Sequence, residues 1–169
     1  VREYDRSAPL GTGKYKVGGN YAASMQANHL AHEKGYACEF YLDAKEKKYM
    51  DECGAANFFG IKNNTYVTPK STSILPSITN KSLMQLAEDF GLKVERRPIP
   101  EEELETFEEA GACGTAAVIS PTLISTTSTP ASATHSARMA SQVLSHTSST
   151  HICATSSMVS SLTHTDGLR

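Results

Sequence analysis

Residues 36–68 read YACEFYLDAKEKKYMDECGAANFFGIKNNTYVT. Short apolar and aromatic runs alternate here with polar or glycine-containing links, the pattern of strands joined by tight turns. YACEFYLD at 36–43 predicts one strand, YMDE at 49–52 and NFFGI at 57–61 two more, and TYVT at 65–68 a fourth. KEKK at 45–48, a Gly-Ala-Ala link at 54–56 and KNN at 62–64 are the turns between them.

Helices flank this run. NYAASMQANHLAHEK at 20–34 is rich in Ala and predicts a helix, with Asn20 as N-cap and Gly35 just past its end. Downstream, Leu83, Leu86, Ala87 and Phe90 recur at helical spacing, after Ser77 or Thr79 as cap and before Gly91 as stop. LKVERRPI at 92–99 predicts a strand. PEEELETF at 100–107 predicts a helix, because Pro and a run of glutamates suit a first turn. GACGTAA at 111–117 reads as a small-residue turn opening onto a last strand, AAVIS at 116–120. The expected fold class is α/β in the mixed α+β sense, with hairpin-like strand pairs in its middle rather than strict βαβ alternation.

The composition changes near residue 120. Residues 1–120 hold 31 of the 34 charged residues and all twelve Tyr and Phe, whereas 121–169 hold 12 Ser and 10 Thr and, as charges, only Arg138, Asp166 and Arg169. Two segments are therefore expected: 1–120, able to build a core, and 121–169, a low-complexity tail expected to be disordered or read from a shifted frame. A net charge of -2 gives no electrostatic case for nucleic acid or an anionic membrane. No run reaches the ~18 apolar residues of a membrane-spanning helix. The chain begins at Val1 without a signal-like pattern, so a piece of a longer, cytoplasmic protein is expected. Cys38, Cys53, Cys113 and Cys153, spaced 15, 60 and 40 apart, fit no zinc or CxxC pattern and read as reduced thiols. His29 and His32 stand three apart with no third ligand in a known spacing, so no metal site is expected. The sequons at Asn63 and Asn80 read as chance matches.

Three segments have chemical potential of their own. GTGKYKVGGN at 11–20 fails both the P-loop and the GxGxxG patterns, so spacing alone leaves Lys14 and Lys16 as solvated cations beside a glycine-rich turn. SILPSIT at 73–79 runs into a helix, whose first amides favour an anion, although from spacing alone simple capping by Ser77 or Thr79 is the preferred reading. GACGTAA adds a hydroxyl in a small-residue turn.

KVGGNYAAS at 16–24 resembles the segment around the cofactor lysine of branched-chain amino acid aminotransferases, which are fold-type IV pyridoxal 5′-phosphate enzymes. The resemblance continues in order through GYACEFYLD, DECGAANFFGI, YVTPKSTSILPSIT, GLKVERRPI and EAGACGTAAVISP, and covers residues 1–121. It implies part of the large cofactor-binding domain of that family.

By the same resemblance, Lys16 matches the lysine that holds the cofactor covalently and then moves the substrate's α-proton. Tyr21 matches the phenol on the cofactor's ring oxygen, and Glu52 the carboxylate that pairs with its pyridine nitrogen. Ile78 and Thr79 match backbone donors to the phosphate. Thr115 matches a hydroxyl on the phosphate and, with Ala116, the turn that receives the substrate carboxylate. The implied reaction moves the amino group of Leu, Ile or Val to 2-oxoglutarate in two stages. Members are dimers or larger.

Asn80 and Ser77 depart from the family's common basic residue and Gly, and the cysteine pair of some animal members is absent. The small domain that precedes this region in the family has no counterpart in the sequence, so weak or no activity is expected of the chain alone. A D-amino-acid aminotransferase, an aminodeoxychorismate lyase or a non-enzymatic remnant are the alternatives.

Overall fold

The computed structural model describes residues 1–116 and 118–122, which fall in one unit, Val1–Thr122. The tail expected at 121–169 lies outside the described residues apart from Pro121 and Thr122. Helix α1 spans Gly18–Glu33. Strands β1 Phe40–Leu42, β2 Met50–Cys53, β3 Ala56–Lys62 and β4 Thr65–Pro69 follow, then helix α2 Ile78–Asp89 and strand β5 Lys93–Arg97. A 3-10 helix, Glu101–Thr106, leads into β6 Glu109–Gly114 and β7 Val118–Pro121.

The strands form one seven-stranded sheet. Strands β1 to β5 lie side by side in chain order, and β6 joins the other edge of β3 and carries β7. All pairings are antiparallel except β4 with β5, which are parallel because α2 crosses over between them. The fold is thus the mixed α/β arrangement expected, with hairpins at its centre.

Local chemistry explains the connections. Asn63 and Asn64 both take positive φ, 48° and 56°, as a two-residue hairpin turn requires, and Asn tolerates that region. The Asp43 carboxylate accepts backbone N–H groups from Glu46, Lys48 and Tyr49 and folds the β1–β2 link around itself. These bonds hold its carboxyl below the usual range, against the opposing effect of burial. Strands β2 and β4 are buried along their whole length. Tyr41, Met50, Phe58, Val67, Thr68, Pro69, Ile99 and Cys113 form the fully buried centre. Strand β5, KVERR, ends the sheet with exposed charges, which blunt an edge against further pairing. Its Arg97 grips the Glu103 carboxylate with two hydrogen bonds, 2.7 and 2.6 Å, and so ties the 3-10 helix to the sheet.

Several expectations need correction. Asn20 is not the N-cap: the helix starts two residues earlier, Val17 precedes it without a side-chain cap, and Asn20 is buried inside the first turn. Its amide is consumed by the preceding loop. The strand expected at 36–43 shrinks to three residues, because the register shifts between Phe40 and Leu42 and the Glu39 side chain turns inward to Tyr41 and Asn28. The helix expected at 100–107 is 3-10; of the two caps open for α2, Ser77 is the one used.

The segment read as a turn at 111–117 is mostly strand β6, and β7 begins at Val118. Small residues carry low strand propensity, which hides β6. At Gly111 a small residue is needed, because a Cβ there would stand 2.7 Å from the Phe59 ring.

Candidate functional site

The lysine side is built by α1 and the loop before it. Asn20 donates through Nδ2 to the carbonyls of Thr12 and Tyr15, 2.9 and 2.8 Å, and accepts the Thr12 hydroxyl at 2.7 Å. The glycine-rich loop is therefore fixed from inside the helix, and Lys16 leaves it just before the first turn. Lys16 Nζ donates to Tyr21 Oη at 3.4 Å and lies 5.8 Å from that ring's centre. Both side chains are exposed. Lys14 instead rests over the Tyr15 ring, at 5.1 Å from its centre, and has no part in this pair.

Glu52 lies at the other extreme, at 2% exposure in β2. Oε1 accepts the Leu75 amide at 2.9 Å and the Asn57 side-chain amide at 3.4 Å, and Oε2 meets Arg6 Nε at 2.5 Å. Burial pushes its carboxyl up to about 7, even though the Arg6 charge and the Leu75 hydrogen bond pull it down. A further cationic donor would lower the cost of keeping this carboxylate ionised.

The third group is the entry to α2 and the β6–β7 turn. Ser77 Oγ accepts the Asn80 amide at 3.2 Å, and Lys81 N–H returns to Ser77 O. This leaves the amides of Ile78 and Thr79, to which helix geometry gives no internal partner. They sit at the positive end of the helix, where an anion is favoured. Ile78 is 74% exposed. Asn80 faces the other way: it is buried, accepts the Tyr66 hydroxyl at 2.7 Å and donates to Thr68 at 2.9 Å. A basic side chain there could not accept the Tyr66 hydroxyl. Thr115 and Ala116 form the exposed turn after β6.

Direct contacts join Lys16 to Tyr21. The Leu75 hydrogen bond ties Glu52 to the segment entering α2. The ladder connects Glu52 to Asn57 and Asn57 to Cys113, two residues before Thr115. Among the described residues, no hydrogen bond or ion pair runs directly from Lys16 to Glu52. Arg6 connects the two sides. Besides Glu52, its Nη1 donates to the carbonyls of Ser73, 2.7 Å, and Gly13, 3.3 Å. One buried guanidinium thus holds the lysine loop, the acidic strand and the segment entering α2. Gly13 must be glycine for this, since a Cβ there would lie 1.9 Å from Ser73 O. Sequence reading missed Arg6, because an isolated arginine in VREYDRSAP carries no motif, and only its burial marks it.

Residues 2–123 match the family model described as amino-transferase class IV. The branched-chain-amino-acid aminotransferase of Helicobacter pylori (strain J99) is 58% identical over 120 residues, covering 70% of this chain and 35% of that protein. The Haemophilus influenzae protein of the same name is 52% identical over 126 residues, covering 70% and 37%. Among solved structures, the Escherichia coli branched-chain amino acid aminotransferase superposes with a TM-score of 0.65 at 33% identity, covering 70% of this chain and 40% of that one. The branched-chain amino acid aminotransferase of Thermobaculum terrenum, solved in its PLP form, gives 0.61 at 32% identity, covering 72% and 38%. The chain spans about a third of the length of the curated relatives it matches.

Proposed function

The chain belongs to the amino-transferase class IV family, and from that membership we propose that it carries the cofactor-lysine portion of a branched-chain amino acid aminotransferase. In this reading, residues 1–120 hold pyridoxal 5′-phosphate, and the whole protein moves the amino group of Leu, Ile or Val to 2-oxoglutarate. The cytoplasm is the proposed location and a homodimer or larger assembly the proposed form. Among the described residues, no helix is long and apolar enough to cross a membrane.

The residues present fit the cofactor. Lys16 supplies a primary amine on an open face, with the Tyr21 phenol beside it to hold a ring oxygen. Glu52 is a buried carboxylate whose ionised form burial disfavours, suited to a protonated ring nitrogen. The amides of Ile78 and Thr79 and the Thr115 hydroxyl suit a phosphate, and the small side chain of Ala116 leaves room for a substrate carboxylate. When bound, the cofactor supplies the electron sink that makes the α-carbon acidic. The protein's own task is to keep Glu52 ionised and in place, which falls to Arg6 and the Leu75 amide. Lys16 Nζ then serves as the base that takes up and returns the α-proton.

The observation that carries this reading is Arg6, which ties the Lys16 loop, Glu52 and the entry to α2 into one unit. The test adds pyridoxal 5′-phosphate to the purified chain, reduces with borohydride and maps the added mass. A visible absorbance band and a modification at Lys16, both lost in Lys16→Ala, are expected. Modification spread evenly over Lys14, Lys16 and the surface lysines would refute it.

A further inference from the structure

Two sulfurs outside the proposed cofactor site face each other. Cys38 Sγ and Cys53 Sγ lie 3.1 Å apart and are free thiols. Their approach is fixed by backbone on both sides: Phe40 pairs with Cys53 across β1 and β2, and Gly54 N–H donates to Glu39 O at 2.8 Å. A covalent S–S bond needs closure by only about 1 Å, within reach of side-chain rotation. We propose that Cys38 and Cys53 form a dithiol site that reduces a hydroperoxide and closes to a disulfide.

The two sulfurs differ in the way such a site needs. Cys38 is half-buried, while Cys53 is buried at 2% exposure. The hydrogen bond shared with Cys53 pushes the Cys38 thiol down to about 7, outweighing burial and the Glu39 charge. The same contact and burial push Cys53 up. Cys38 is therefore the attacking thiolate and Cys53 the resolving thiol. Cys113, fully buried and pushed up to about 12 by burial, is an internal reference that stays protonated.

The chemistry balances with the peroxide as oxidant. Cys38 thiolate attacks one peroxide oxygen, the O–O bond breaks, and the departing hydroxide takes up the proton lost by Cys38 to become water. The sulfenic acid on Cys38 is then attacked by Cys53 sulfur; the S–O bond breaks, and the hydroxyl leaves as water with the Cys53 proton. Two thiols lose two electrons in all, and one hydrogen peroxide becomes two waters.

The test treats the full chain with hydrogen peroxide, blocks remaining thiols and digests with trypsin. Cys38 falls in peptide 35–45 and Cys53 in peptide 49–62, so their disulfide appears as a cross-linked pair two hydrogens lighter than the sum. That pair is expected as the dominant product, reversed by a thiol reductant. In Cys53→Ser, a sulfenate-trapping dione is expected to label Cys38. Cys38 oxidised to sulfinic acid without cross-link, no oxidation at all, or a dominant bridge to Cys113 or Cys153 would overturn the proposal. The measurement needs no bound cofactor and stands or falls separately from the proposed transamination.

Discussion

At the scale of single residues, Arg6 and Glu52 set the electrostatics. Glu52 is raised from 4.5 to about 7, chiefly by desolvation. The folded chain therefore holds a proton there that the unfolded chain has lost. The sign follows directly: this contribution is fully present below about pH 4.5 and is lost as pH rises through about 7, worth roughly 3 kcal/mol. Removing Arg6 withdraws the largest effect that lowers Glu52, so Arg6→Gln moves the titration upward. Carboxyl carbon NMR of Glu52 in the two proteins checks it, and an unchanged or lower midpoint in the variant would contradict the assigned pairing. Bound pyridoxal 5′-phosphate, if its ring nitrogen meets Glu52, is expected to move the midpoint down.

At the scale of elements, the start of α2 combines two tasks that the sequence left unassigned between Ser77 and Thr79. Ser77 is the cap, and its hydroxyl takes the third amide of the helix. Ser77→Ala is expected to cost about 1 kcal/mol of stability, read as a shift of the denaturant midpoint. Thr79→Ala leaves the cap in place and is expected to change that midpoint far less. Equal losses in the two would return the cap to an open question. The β3–β4 hairpin shows the opposite case: KNN was legible as a turn because two adjacent asparagines at positive φ have a local cause.

At the scale of the whole molecule, the lysine side is open. Lys16, Tyr21, Ile78, Thr115 and Ala116 are all exposed in this chain, while Glu52 is buried. Charge stabilisation at a reacting centre is strongest where water is excluded. The chain by itself is therefore expected to bind pyridoxal 5′-phosphate at Lys16 but to show little or no leucine:2-oxoglutarate transamination. A coupled assay for glutamate on the purified chain measures this, and turnover typical of an aminotransferase would refute it.

The sequence by itself determined what depends on neighbours along the chain. The hairpin run at 36–68, the α2 period from Leu83 to Ala87, the stop at Gly91 and the ordered motifs that place the chain in its family are all local patterns. Strand β6 was not legible, because its Gly111 is demanded by the Phe59 ring paired with it across the sheet and not by local propensity. Asn20 was misread because its amide bonds backward to a loop that folds onto it, and Arg6 went unseen because its three partners are 7, 46 and 67 residues away. Burial made Glu52 a group that titrates near neutrality, and backbone pairing brought Cys38 to Cys53. Desolvation and long-range contact exist only once the chain has closed on itself, so only the tertiary structure could decide them.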